Sequence, residues 1–231
     1  MSPEVARGSR PLVRALLVLT LTTGLVDAVS YLGLGHVFTA NMTGNVVLLG
    51  FGIAGSGGLP VVAPLVSLGA FLVGAGAGGN LAKRLADKRP LHMNAALVIE
   101  VTLIGAATVF AAVVAVEPSA VSGDMVIALL ALAMGVRNAT VRRIAVPDLT
   151  TTVLTMTLTG LAADSPPAGG SGEGSARRVS AVLAMFAGAL GGALLLKTSL
   201  VLPLAAAAGL ALVTWLIYVP AARQASVNAD G

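Results

Sequence analysis

The chain has 231 residues, 56% of them hydrophobic and 10% charged, with a mean hydropathy of +0.93. A soluble domain carries about 25% charged residues, so a water-soluble globule is excluded and an integral membrane protein indicated. The formal net charge of +4 does not point to nucleic acid, because the basic residues are scattered at the ends of apolar runs rather than gathered on one face, and the lack of cysteine excludes disulfide and thiolate chemistry.

A basic N-terminal segment, 1–11, precedes the first apolar run at 12–34. A signal peptide cleaved near Ala28 is not expected, because the run continues past that point and Asp27 and Tyr31 belong to a block that recurs later. Further runs follow at 61–82, 94–116, 121–140, 179–196 and 200–219, each near the roughly 17 to 25 residues that a bilayer requires. Two shorter, more polar segments, 39–56 and 149–163, stand after the first and fourth runs. Taken as re-entrant, they leave 13 Lys and Arg on one side of the membrane and only Lys197 on the other. Taken as spanning, they divide the same residues 6 against 8. The excess of Lys and Arg in cytoplasmic loops therefore selects six spans and places both termini in the cytoplasm, with Trp215 and Tyr218 as an interfacial anchor.

The fold expected is all-α: six transmembrane helices plus two re-entrant or broken half-helices. The first membrane repeat covers 12–116, an outer linker 117–120 and the second repeat 121–219, with a flexible cytoplasmic loop at 165–176 and a cytoplasmic tail at 220–231. Gly24-Leu25-Val26-Asp27-Ala28 recurs 111 residues later as Gly135-Val136-Arg137-Asn138-Ala139. Ala70, Gly74, Ala75, Gly78 and Lys83 fall 114 residues before Ala184, Gly188, Ala189, Gly192 and Lys197. Each half holds an odd number of spans, so the second copy is expected upside down, as an inverted repeat. Gly74, Gly78, Gly188 and Gly192 have the small-x3-small spacing that lets helix backbones approach closely in lipid.

Asp27 lies deep in the first span, where a charge against lipid costs about 2.5–3.5 kcal/mol or more. It is expected to face protein or a pathway. In the polar segments, Asn41, Thr43 and Asn45 pair with Thr155, Thr157 and Thr159 at the 114-residue spacing, and Asn138 takes the place of Asp27. As helices these segments align residues four apart; as strands they turn Thr155, Thr157 and Thr159 to one side. Dipping from opposite faces, they are expected to meet near the midplane around a solute or ion. Arg137 is read as a marker of the cytoplasmic boundary and Glu100 as a snorkelling or packed polar residue, both in supporting roles. His36 and His92 are read as boundary residues, with no metal-ligand spacing around them.

The blocks Gly24 to Ala28, Phe38 to Asn45, Gly135 to Ala139, Arg142-Arg143 and Thr151 to Thr159 resemble the paired signatures of the YoaK family of bacterial membrane proteins, over roughly 12–220. The resemblance implies a compact inner-membrane protein; it brings no substrate, reaction or catalytic residue. The function expected from the residues is a small secondary transporter or permease for a small solute or ion. A non-transporting scaffold or accessory subunit and a channel are the alternatives. No catalytic constellation is present, so an enzyme is not expected, and neither is a cofactor or metal. The partners the sequence admits are the lipid bilayer, a small solute or ion and a second copy of the chain.

Overall fold

A computed structural model describes residues 3–86, 89–144 and 154–227. Its eight α-helices among those residues are α1 (Pro3–Gly33), α2 (Met42–Ile53), α3 (Val62–Arg84), α4 (Arg89–Val113), α5 (Val121–Ile144), α6 (Leu154–Ala163), α7 (Ser175–Leu196) and α8 (Val201–Val227). Six contain stretches long and apolar enough to cross a membrane: Pro11–Gly33, Val62–Arg84, Leu91–Val113, Val121–Arg143, Ser175–Leu196 and Val201–Tyr218. At 1.5 Å per residue a 23-residue stretch rises about 35 Å, enough for a hydrocarbon core of about 30 Å. The chain leaves α1 through Gly35 at φ +124° and His36 at φ +56°, a reversal that glycine adopts without the steric cost of a Cβ.

Burial separates the helices into centre and periphery. In the spanning windows of α1 and α5, 67% and 61% of residues are buried, against 17–28% in the other four. Leu72, Val73, Phe186 and Ile217 are left exposed on the outer helices, as an apolar surface facing lipid requires. The main core gathers Val26 and Val29 of α1, Ile104 of α4, Ile127, Leu130 and Met134 of α5 and Leu204 of α8. A second cluster joins Leu16, Leu19, Met93, Leu97, Val141 and Ala181, with Trp215 and Tyr218 packed against it. Trp215 is tied inward, its Nε1–H donating to Asn94 Oδ1 at 2.7 Å.

Helices α3 and α7 pack most closely not within their own halves but on α5 and α1. The glycines make this approach. A Cβ on Gly188 would overlap the Leu21 carbonyl, and one on Gly74 the Leu132 carbonyl. One turn on, a Cβ at Gly192 would stand 2.8 Å from Ala28 Cβ, and one at Gly78 2.9 Å from Ala139 Cβ. Gly24 and Gly135 receive the opposing backbones at Ala189 and Ala75, each 2.7 Å from the position of a Cβ. These contacts correspond pair by pair at the 111 and 114 spacings of the sequence.

The two short segments are helices, which removes the extended alternative for 155–159. Among the described residues they do not meet as expected: helix α2 packs on α3 and α6 on α7, and no comparable interface joins α2 to α6. The segment expected to be a flexible loop contains hydrogen-bonded turns: a 3-10 helix at Pro166–Ala168 is followed by Gly170 N–H donating to Ser165 O (3.0 Å) and Gly172 N–H to Asp164 O (2.9 Å). Arg178 anchors the turn to α7, pairing with Asp164 Oδ2 at 2.8 Å and donating to the Gly160 carbonyl at 2.7 Å.

Candidate functional site

Asp27 sits on α1 six residues before its end, 6% exposed. One carboxylate oxygen, Oδ1, accepts the backbone N–H groups of Thr39 (3.0 Å) and Ala40 (2.9 Å). The segment 34–41 has no helix or strand of its own, so these amides need an acceptor in a place without water. No cation among the described residues forms an ion pair with Asp27.

Asp27 also lines a cavity of about 290 Å³ between α1, α7 and the 34–41 segment, with Gly24, Ala28, Tyr31, Leu32, Phe38, Asn41, Met185 and Ala189. The rings of Tyr31 and Phe38 stack with centroids 4.9 Å apart, and His36 meets Tyr31 edge-on at 5.3 Å. The cavity is therefore lined by one carboxylate, one amide and one phenol among largely apolar walls.

Asn45 closes the same segment from the other side. Its Oδ1 accepts Phe38 N–H (2.8 Å), while its Nδ2 donates to Phe38 O (2.6 Å) and to Ser67 Oγ on α3 (3.0 Å). Ser67 Oγ in turn donates to Phe38 O at 2.6 Å. Asn45 is fully buried and these bonds consume its amide, so it holds the chain ahead of α2 rather than lining an open path. Asn41 caps α2 through a long bond to Gly44 N–H (3.5 Å).

Of the other expected pathway residues, three are not buried in the bundle. Thr43, Thr155 and Thr159 are exposed, and Thr159 donates to its own helix at Thr155 O (2.9 Å). Each short helix buries a single side chain, Asn45 in α2 and Thr157 in α6. Burial thus matches Asn45 with Thr157, a spacing of 112, in place of the Asn45–Thr159 pairing expected at 114. Asn138 donates to Met134 O on its own helix at 2.8 Å. Thr151 and Thr152 lie outside the described residues.

One reading is corrected: Arg137 does not mark a boundary but is 2% exposed, and of the two alternatives for Glu100 the packed polar residue holds, 1% exposed; the two form an ion pair between α5 and α4. Arg137 Nε donates to Glu100 Oε2 at 2.8 Å and its second terminal nitrogen to Oε1, a two-pronged contact. The remaining nitrogen, NH1, donates to Leu19 O (2.8 Å) and Thr23 Oγ1 (2.7 Å) on α1. One guanidinium thereby joins three helices, its planar fork matching the carboxylate. His92 is likewise buried, within 3.4 Å of the Thr140 hydroxyl one turn from Arg137.

This is a multi-pass α-helical membrane protein, with two central helices clasped by glycine-rich neighbours and an acid enclosed at the break after the first span. Residues 15–217 match the family described as "Protein of unknown function (DUF1275)", and the chain belongs to that family. It is similar to the UPF0700 transmembrane protein YoaK of Bacillus subtilis (strain 168), 35% identical over 152 residues. That match covers 64% of each chain, just under two thirds of the relative's length. No solved structure matches. The resemblance to the YoaK family read from the paired motifs holds.

Proposed function

We propose that the chain is a small secondary transporter or permease of the bacterial inner membrane, built as an inverted repeat with both termini in the cytoplasm. The observation that carries this reading is Asp27: a buried acid with no ion-pair partner among the described residues, lining a cavity beside a break in the helical structure. Ionisable groups inside a membrane usually mark substrate or ion pathways, and irregular backbone at that depth is tolerated where it is buried in protein or lines a cavity. The corresponding glycine contacts and the 13-to-1 distribution of Lys and Arg support the inverted arrangement. The binding position is the cavity between α1, α7 and the 34–41 segment, with Asp27 as the coordinating acid.

Tyr31→Cys and Asn41→Cys, introduced singly into this cysteine-free chain, test the reading in oriented membrane vesicles. Both should react with a membrane-impermeant maleimide from the outer side, while a cysteine at Asn45 stays unreactive. A non-transporting membrane module is the second reading, favoured by the closed Asn45 network and the sealed Arg137–Glu100 pair. It predicts that Tyr31→Cys and Asn41→Cys are unreactive from both sides, a result that would remove the aqueous access a transporter needs.

A further inference from the structure

We propose that the Asp27 cavity takes a small organic ammonium cation, a primary amine in its protonated form with a short hydrocarbon body. The inference rests on the cavity being a binding site, as the proposed function holds. Charge comes first. The other acid sealed in the spanning bundle, Glu100, is neutralised by Arg137, whereas Asp27 has no ion pair and gives both of its backbone bonds to Oδ1. A carboxylate without an ion-pair partner inside a membrane is costly even when it accepts backbone hydrogen bonds, and a bound cation whose N–H groups donate to Oδ2 lowers that cost.

The walls then decide which cation. A metal ion requires a shell of oxygen, nitrogen or sulfur ligands. Apart from Asp27, the side-chain oxygens at this cavity belong to Tyr31 and Asn41, and the described residues contain no cluster of three His, Asp or Glu side chains able to hold a metal. Ala28, Leu32, Phe38, Met185 and Ala189 instead offer apolar contact, which a hydrated inorganic cation cannot use and an alkyl chain can. The volume of about 290 Å³ is close to the lower bound of the roughly 300–1,000 Å³ of small-molecule sites, which is ample for a short alkylammonium.

Isothermal titration of the full chain in lipid nanodiscs, with methylammonium, ethylammonium, propylammonium and neutral 1-propanol, tests this. Propylammonium should bind at least ten-fold tighter than 1-propanol. Affinity should rise about four-fold per added methylene, the equivalent of burying one CH₂. Asp27→Asn keeps an oxygen for the Thr39 and Ala40 amides; it should bring propylammonium down to the level of 1-propanol while thermal unfolding of the protein stays near wild type. Met185→Ala shortens the wall and should flatten the dependence of affinity on chain length. Equal binding of propylammonium and 1-propanol overturns the inference, as does undiminished propylammonium binding by a folded Asp27→Asn protein. Propylammonium uptake into liposomes separates the two proposals: binding as expected without protein-dependent uptake leaves this inference standing and removes the transporter. Protein-dependent sodium or proton flux without propylammonium binding does the reverse.

Discussion

Removing the Glu100 carboxylate would strand a guanidinium that the bundle has sealed from both lipid and water. Arg137 makes four side-chain hydrogen bonds, two to Glu100 and one each to Leu19 O and Thr23 Oγ1. In Glu100→Ala the two on α1 survive, while Nε and one terminal nitrogen lose their acceptor at a site 2% exposed. Breaking a buried ion pair from one side costs about 3–5 kcal/mol, and an arginine at the centre of a bilayer is disfavoured by about 2.5–3.5 kcal/mol on insertion scales. Glu100→Ala is therefore expected to lose about 3–5 kcal/mol. Glu100→Gln, which keeps one acceptor oxygen and the side-chain shape, should lose about half as much. Replacing both partners, Glu100→Leu with Arg137→Met, should recover most of the loss, because two apolar side chains leave no charge to satisfy. Unfolding in mixed micelles with increasing dodecyl sulfate measures all four proteins, followed by the fluorescence of Trp215, the only tryptophan, whose indole bridges α8 to α4. The reasoning fails if both single replacements at Glu100 stay within about 0.5 kcal/mol of wild type, or if the double replacement is no more stable than Glu100→Ala.

Gly188→Ala should destabilise the protein by about 1–3 kcal/mol or more, since its Cβ meets the Leu21 backbone, whereas Gly191→Ala, three residues on with nothing within 4 Å of the added Cβ, should be neutral or gain up to about 1 kcal/mol of helix propensity. Melting curves of the pair separate a helix contact from a generic glycine effect. Asn45→Ala leaves Phe38 N–H without its acceptor and removes two donated bonds, an expected loss of about 2–3 kcal/mol; hydrogen exchange at Phe38, Thr39 and Ala40 should quicken before the rest of the chain does. For topology, Ser56→Cys should label from outside the cell and Glu173→Cys from the cytoplasmic side, and labelling of both from one side would contradict the inverted arrangement.

The spans were legible because length and apolarity are local properties. The run read at 12–34 corresponds to the spanning stretch Pro11–Gly33, and that at 94–116 begins three residues late against Leu91–Val113. The glycine contacts were legible because the same spacing occurs twice, and a requirement for backbone approach leaves its mark on residue type. The Arg137–Glu100 pair was not, since it joins residues 37 apart on two helices whose rotation no local pattern states. A signal did exist: Glu100 is the tenth residue of the stretch beginning at Leu91, and Arg137 stands six before the end of the one finishing at Arg143. Opposite charges at comparable depth in consecutive antiparallel spans are candidates to pair. The use of Asp27 to bind the Thr39 and Ala40 amides left no trace in residue type, because backbone donors are the same at every non-proline residue. The choice between helix and strand for 155–159 was likewise open, as a run of alternating threonine fits either period until packing against α7 decides.

The positions that repeat and those that do not fall into two chemical classes. Gly24, Gly74 and Gly78 have glycine counterparts in Gly135, Gly188 and Gly192, and each pair performs the same contact. The ionised residues of the central bundle do not repeat: Asp27 corresponds to Asn138, Arg137 to Val26 and, at the 114 spacing, Glu100 to Thr214. Backbone approach is thus required equally on both sides of the bundle, whereas charge is not a requirement of the scaffold, because a neutral residue occupies each counterpart. Two of the three charges cancel in one ion pair that clamps α4, α5 and α1 together. What remains of these three is Asp27, on one side only, beside a cavity. Under the proposed function that acid defines the binding position, and the paired glycines supply the close contacts of α7 with α1 and of α3 with α5 around it.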